Sequence, residues 1–406
     1  MEKSKLKYPL TLSVILLVLI SAIFSTYSVR DVVSMGEATG FHLDTNLIYL
    51  LFSPLFNLLD MMSALSLTQH LAWVIFVLLF GACVGFIFFK RQVLWLRLLF
   101  SFVFSVLLLV MLYSVAILMP RPMVKLVKPD AAVLVVDFHS HTDASHDANK
   151  SFSPEDNRKW HSYAGFDAAF VTDHSTFIGS QAGKAQNPRH AREGVLLLDG
   201  VEVRYQGGHV LALCATTMLP SKEEDYIWKT NEYGCKPLLV QANPGPIEDS
   251  NQRFKERSIG AIEIHDGAPL ALEDIKNREQ WLNKAKSLDI AIVSGSDNHG
   301  WAYAASGWSL LRITGWQNMG ANRLALAITH LIHEQGFQAV QVVERNMVLP
   351  AQSILEHVLM PARLIWRMFQ VLTWQERLSW LVWVILLTLL SGQFKEKRWK
   401  IFCSQH

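Results

Sequence analysis

Ala131-Ala-Val-Leu-Val-Val136 runs directly into Asp137-Phe-His139-Ser-His141-Thr-Asp-Ala-Ser-His146-Asp147, and this junction decides the fold. The first six residues form a continuous apolar, β-branched-rich run, as expected for a strand buried on both faces. The run then ends in polar side chains. His139 and His141 stand two apart on an extended strand end, so both point to one face. That spacing makes a pincer for a transition metal.

The same pattern recurs downstream. Short apolar runs at Ala168–Thr172, Val195–Leu198, Pro237–Val240, Ala261–Ile264 and Ile290–Val293 each lead into groups able to bind a metal or move a proton. These are Asp173-His174, Glu202, Asn243, His265 and Asp297-Asn-His299 in turn. A further run, His209 to Ala215, begins rather than ends with its histidine. Between the first two runs, Ser153-Pro-Glu-Asp156 is a helix start, with a Ser cap, Pro in the first turn and acids beside it; the helix is expected to end near Ala164-Gly165. Strands alternating with helices indicate an α/β domain of parallel strands over 129–345, with chemistry at the strand C-termini as in a barrel.

The flanks differ. About 20 apolar residues span a bilayer. Pro9–Ser28, Leu71–Phe89, Leu94–Met119 and the shorter Leu378–Phe394 qualify as spans within an N-terminal membrane region, 1–128, and a C-terminal region, 346–406. Residues 47–67 are apolar but carry Pro54, Asn57 and Asp60, so they read as re-entrant or interfacial. Four spans put Lys3, Lys5, Lys7, the Lys90-Arg91 turn and the Lys395–Lys400 tail on one side. By the positive-inside rule that side is the cytoplasm of a bacterial inner membrane, and the middle domain lies outside it. Arg121, Lys125 and Lys128 run against this count. Residues 353–374 have amphipathic helical spacing, suited to the membrane surface or to the domain.

Net charge is +2, with no basic stripe, so nucleic acid is not expected as a partner. None of Cys83, Cys214, Cys235 and Cys403 forms a CxxC pair, which excludes a zinc ribbon. Cys83 lies in an apolar segment. Cys214 and Cys235 read as two free buried thiols, with a bridge as the alternative in an oxidising compartment.

The segments Asp137-Phe-His-Ser-His-Thr-Asp-Ala-Ser-His146-Asp147, Val171-Thr-Asp-His174, Gly200-Val-Glu202, Gly208-His209-Val-Leu and Gly295-Ser-Asp-Asn-His299 resemble, in order and form, the polymerase and histidinol phosphatase (PHP) superfamily. The resemblance covers the middle domain, about half the chain. It implies a distorted seven-stranded (β/α)7 barrel, here flanked by transmembrane helices, with two or three divalent ions such as zinc, manganese or iron. It also implies hydrolysis of a phosphate ester by a metal-activated hydroxide. Carried over by position, His139, His141, Glu202 and Asp297 hold the first metal. Glu202 bridges to a second that His209 also binds, and His174, His299 and His146 hold the third. His146 stands where the family commonly has Asp, and Asp147 beside it is equally capable. Asn243 stands where the family usually has His before Pro-Gly, so the second ion is loosely held, absent, or supported by His265. His174, His299 and Asp297 are the candidate proton-transfer and catalytic groups, and Arg204 is a candidate contact for a substrate anion. Asp137 and Asp173 read as orienting groups, and His161 and His190 as structural ones. The expected partner is a phosphorylated substrate, at or near membrane lipid. Two alternatives stay open: hydrolysis of a carboxylic ester or amide, and a non-catalytic metal- or ligand-binding membrane module.

Overall fold

The computed structural model describes residues 9–88, 93–205, 208–220, 226–228, 233–242, 258–301 and 304–403. Among them ten strands form one sheet: β1 Val29–Asp31, β2 Val133–Ser140, β3 Ala168–Val171, β4 Leu196–Tyr205, β5 Gly208–Leu213, β6 Leu238–Gln241, β7 Ile259–Asp266, β8 Ala291–Gly295, β9 Gly307–Arg312 and β10 Gln341–Arg345. The order across the sheet is β1-β10-β9-β2-β3-β4-β5-β6-β7-β8. The apolar runs fill it: every residue of β2 and β3 is buried.

The sheet is mixed, not uniformly parallel. β2–β3, β3–β4, β6–β7 and β7–β8 pair in parallel. β5 runs antiparallel to both β4 and β6, while β9, β10 and β1 extend the other side antiparallel. β4 also continues well past Leu198, so Glu202 sits inside a strand and not in a loop after it. The sheet curls until the chain leaving β8 lies on the end of β2. Ser296 and Asp297 both donate their N–H to the His139 carbonyl, at 3.1 and 2.9 Å, and His141 N–H donates to the Asn298 carbonyl at 3.1 Å.

The helix expected after β2 spans Pro154–Ala164 and carries a full capping box between Ser153 and Asp156. Gly165 ends it in the left-handed region at φ 92°, where a Cβ would lie 2.5 Å from the Leu126 carbonyl oxygen. Behind the sheet, Glu344 is fully buried and takes Arg30, Arg278 and His265 on its two oxygens. Cys214 and Cys235 are joined in a disulfide, not left as free thiols. Their Cα atoms stand 6.2 Å apart, a separation that a disulfide accommodates.

In the flanking regions, helices Leu67–Phe88 and Leu94–Leu118 contain windows long and apolar enough to cross a membrane. Only 22% and 11% of those windows is buried, so most of their apolar surface faces outward. The first helix, Pro9–Ile23, is shorter than the expected span, because the chain turns and Thr26 N–H bonds to the Gln370 carbonyl. The last, Trp374–Cys403, exposes Leu378, Val382, Ile385, Leu386 and Leu390. Residues 47–67 resolve into helices Leu47–Leu51 and Ser53–Ser63 and the start of the next helix. Eleven helical residues reach roughly 17 Å, about half the hydrocarbon thickness. Buried Asp60 in this piece is matched within the protein: it takes Arg121 at 3.3 Å, Arg345 at 3.2 Å and the Tyr49 hydroxyl at 3.2 Å.

The Glu344 centre yields a test of the fold. Burial opposes its charge, but Arg278, His265 and Arg30 outweigh burial and hold the carboxyl well below the usual range. Its stabilisation is therefore complete above the unfolded glutamate pKa of about 4.3 and fades as pH falls through the lower folded value. Glu344→Gln, which strands two buried guanidinium groups, should cost roughly 3–5 kcal/mol at neutral pH. Thermal melts should show a large Tm loss at pH 7 that shrinks in acid.

Candidate metal centre

Four strand ends and one loop deliver the site. β2 presents His139 and His141, whose Nε2 atoms come within 3.1 Å of each other. The segment after β3 brings His174, locked to β4 by the Ser175 N–H donating to the Glu202 carbonyl at 2.8 Å. β4 supplies Glu202 and β5 supplies His209. Because β5 is antiparallel, its beginning lies beside the end of β4, with Arg204 opposite His209 in register. The loop after β8 brings Asp297 and His299. Asp297 adopts φ 47°, an uncommon conformation for a residue with a Cβ, and one that its bond to the His139 carbonyl holds.

Glu202 is the hub. Its Oε2 lies 3.0 Å from His139 Nε2, 3.4 Å from His141 Nε2 and 3.4 Å from His174 Nδ1. Its Oε1 lies 2.5 Å from His209 Nδ1. Asp297 Oδ1 stands 3.1 Å from His141 Nε2 and 3.3 Å from His139 Nε2. Asp147 forms a second focus, with Oδ2 3.1 Å from His174 Nε2 and 3.3 Å from His299 Nε2. The His141 ring stacks on His299 with centroids 4.0 Å apart. His299 Nδ1 is 2.8 Å from the Asp297 carbonyl. A carbonyl only accepts, so Nδ1 carries a proton, and Nε2 is the atom that faces Asp147.

The charges are strongly interdependent. Burial works against a proton on His139, but Glu263, Asp297 and Glu202 outweigh it and hold the imidazole well above its ordinary value. Burial pushes His141 down to about 4. Glu202 is raised by burial but pulled far below the carboxylate range by His139 and His209. Asp147 falls to about 2, because Ser145, His299 and His174 overcome its desolvation.

Several expectations need correction or completion. His146 has a side chain 77% exposed, yet it joins Asp147 and His174 in one group of potential donors, its ring 5.0 Å from that of His174, and Asp147 also comes close to His299. Ser145 fixes this by donating its hydroxyl to Asp147 Oδ1 at 2.8 Å. His265 turns away from the cluster: Nδ1 faces Glu344 at 2.8 Å and Nε2 faces Ser306 at 2.9 Å. Asn243 lies outside the described residues. Arg204 is exposed on the face shared with Glu202 and His209. Asp137 orients the pincer by accepting from the N–H of His139 and Ser296, and His161 holds its other oxygen at 2.7 Å. Asp173 secures Thr142 through two bonds and touches no cluster histidine. His190 pairs with Glu193 at the surface.

Two carboxylates escaped the sequence reading. Glu263 lies against His139 Nδ1, its two oxygens at 3.1 and 3.2 Å. Asp266 stands with this pair in a further group of potential donors. The available signal was Glu263 itself, an acid inside a run of buried aliphatic residues.

No protein-family model matches this sequence, and no curated protein matches it. Among solved structures the chain is similar to PsfC from Pseudomonas syringae, at 16% identity and TM-score 0.37 over 59% of this chain and 98% of that one. It is also similar to a two-domain protein from Bacteroides vulgatus containing a predicted PHP-like metal-dependent phosphoesterase, at 15% identity and TM-score 0.33 over 57% and 70%. An amidohydrolase from Chromobacterium violaceum, solved with bound sulfate and no metal, is similar at 15% identity and TM-score 0.31 over 40% and 87%. Likeness at this level carries no chemistry; the donor atoms do.

Glu263 gives a direct test. A carboxylate on the far nitrogen of a histidine ligand fixes its tautomer and raises its basicity. Glu263→Gln should weaken divalent-metal binding roughly 10- to 100-fold, as read by competition with a chromogenic chelator, while circular dichroism stays unchanged.

Proposed function

We propose that this chain is a membrane-anchored, metal-dependent phosphoesterase centred on His139, His141, Asp147, His174, Glu202, His209, Asp297 and His299. One observation carries the reading. His139 Nε2, His141 Nε2, Glu202 Oε2 and Asp297 Oδ1 give five separations of 3.1, 3.0, 3.3, 3.4 and 3.1 Å. Donors at the corners of a tetrahedron, about 2.0–2.1 Å from a zinc-sized ion, stand about 3.3–3.4 Å apart. The donor chemistry agrees, since imidazole with carboxylate suits zinc, manganese or iron.

The roles of the side chains follow. His139, His141, Glu202 and Asp297 form the first binding group, with Glu263 and Asp137 aiming the His139–His141 pincer. Glu202 reaches His209 through its other oxygen, so it spans two donor groups. Asp147, His174 and His299 form the third. Divalent cations supply Lewis acidity, which sharpens water as a nucleophile near neutral pH and neutralises charge building on a phosphoryl group. His174 and His299 have side chains 18% and 17% exposed, so they can pass protons between the interior and solvent. Arg204 lies on the same open face and meets the substrate's anionic oxygens.

The apolar helices anchor this unit. Near the end of Pro9–Ile23, the start of Leu67–Phe88, the end of Leu94–Leu118 and the start of Trp374–Cys403 the chain is tied to neighbouring segments, in one case to the domain itself. Thr26 bonds Gln370, Thr68 bonds Glu273 at 2.7 Å, Arg121 bonds Asp60 and Trp380 bonds Asn57. Their other ends lead, in sequence, to the basic clusters, which favours an extracytoplasmic domain. Two of the contrary cations are already matched, Arg121 by Asp60 and Lys128 by Asp167. The Cys214–Cys235 bridge fits an oxidising compartment.

Two experiments test these statements. The purified full-length protein with added zinc or manganese should hydrolyse an aryl phosphate monoester or diester faster than an aryl acetate. Asp297→Ala should abolish that turnover and lower the metal content measured by mass spectrometry; a preserved rate ends the proposal. For orientation, a membrane-impermeant maleimide should label Ser151→Cys in spheroplasts. Labelling only after lysis would put the domain in the cytoplasm.

A further inference from the structure

The amphipathic helix Ile354–Gln370 carries a cation in an unusual place. Ser353 caps it by accepting from Glu356 N–H, and its buried face presents Met360, Leu364, Met368 and Phe369. Its opening turns expose Ile354, Leu355 and Val358, a face suited to the membrane interface. Between the buried face, the Ser53–Ser63 helix and the segment after β10 lies a partly open cavity of about 120 Å³. Its walls include Met61, Leu65, Leu364 and Met368. Four charged groups also line it: Asp60, Glu376, Arg345 and Arg367.

Both acids are already matched. Asp60 takes Arg121, Arg345 and Tyr49. Glu376 takes Asn57 on one oxygen at 2.7 Å and Thr373 on the other at 2.8 Å. Arg345 bonds Asp60 and the Ala305 carbonyl. Arg367 is the exception. Its Nη1 donates only to the carbonyl and side-chain oxygens of Asn346, and its buried Nε has no acceptor. Among the described residues no carboxylate pairs with it. Burial disfavours its charge first, and nearby Arg30 adds to this. A half-buried guanidinium set among apolar walls calls for an anion that brings its own apolar surface.

We propose that this cavity binds one anionic membrane lipid, with the headgroup phosphate on Arg367 and the first part of an acyl chain between Met61, Leu65, Leu364 and Met368. A cavity slightly smaller than the roughly 150 Å³ that accepts benzene takes a short stretch of chain, and the remainder leaves by the open side. No lining residue belongs to the metal centre, so the site goes beyond the catalytic reading and depends only on the membrane setting. Its wall reaches the centre indirectly: Arg345 holds Ala305, and Ser63, next to the lining residue Ala64, accepts the Ala304 N–H, just beyond the His299 loop.

The full-length protein would be taken from nanodiscs of equal phosphatidylglycerol and phosphatidylcholine and weighed by native mass spectrometry. One phosphatidylglycerol per chain should remain, in preference to phosphatidylcholine. Arg367→Gln should cut that retention roughly fivefold, Arg367→Lys should keep most of it, and Leu364→Trp should remove both lipids by filling the space. Excess inorganic phosphate should not displace the lipid; displacement would identify a free-anion site and overturn the proposal. Equal retention of the two lipids, or no effect of Arg367→Gln, would also overturn it. Asp297→Ala should retain lipid like the unaltered protein, so failure of the metal centre and failure of this site give different results.

Discussion

The whole site depends on one carbonyl. The oxygen of His139 accepts two N–H groups, from Ser296 and Asp297, and this pair of bonds lays the last motif of the domain on the first. Without it Asp297 would have no reason to hold φ 47°, and its carboxylate would not reach His141. Asp137 reinforces the junction by accepting from both sides of it, from His139 and from Ser296. His161 then holds Asp137 from a fully buried position. A histidine that touches no donor atom of the cluster therefore decides where the donors stand. This is outer-shell work of the kind that positions ligands rather than supplying them.

Much of this was legible because it rests on local rules. The two-residue spacing of His139 and His141 guaranteed a common face, and Ser153-Pro-Glu-Asp156 specified a helix that begins and ends where its caps dictate. What escaped was set by tertiary context. The resemblance already joined Glu202 to His209, but they come together because β5 reverses direction, and no local feature of the run His209 to Ala215 reveals whether its partner strand is parallel. His146 and Asp147 both stand within reach of His174, and only the fold shows that Asp147, bound by the Ser145 hydroxyl, also comes close to His299. His265 ends its apolar run just as His174 does, yet it lies inside β7, where a register shift accompanies its turn towards Glu344. Glu263 was hidden in plain view, because an acid in an apolar strand has no meaning until a histidine is placed against it.

The apolar flanks repeat this division. Hydropathy marks Leu67–Phe88 and Leu94–Leu118 as containing windows long and apolar enough to cross a membrane, and most of their apolar surface faces outward. It cannot interpret residues 47–63, where Asn57 and Asp60 interrupt an apolar stretch. Those two residues are what attach the helices to the domain: Asp60 gathers Arg121 and Arg345, and Asn57 bridges Glu376 and Trp380. A polar residue that interrupts an apolar stretch is here the means of fastening a helix.

Protons and cations compete for the same atoms at the centre. Glu202, Asp297 and Glu263 surround His139 so closely that they raise its affinity for a proton despite complete burial. Asp266, buried beside Asp297 and Glu263, has its carboxyl pushed well above the usual range, first by burial and then by those two charges. The same concentration of negative charge that holds these protons would favour a divalent ion at His139 Nε2, where donor spacing is already set. Metal entry must then displace protons. Buried acids of this density are costly in an unliganded domain, and a cation held by several of them at once is the simplest physical reason for the sequence to keep them together.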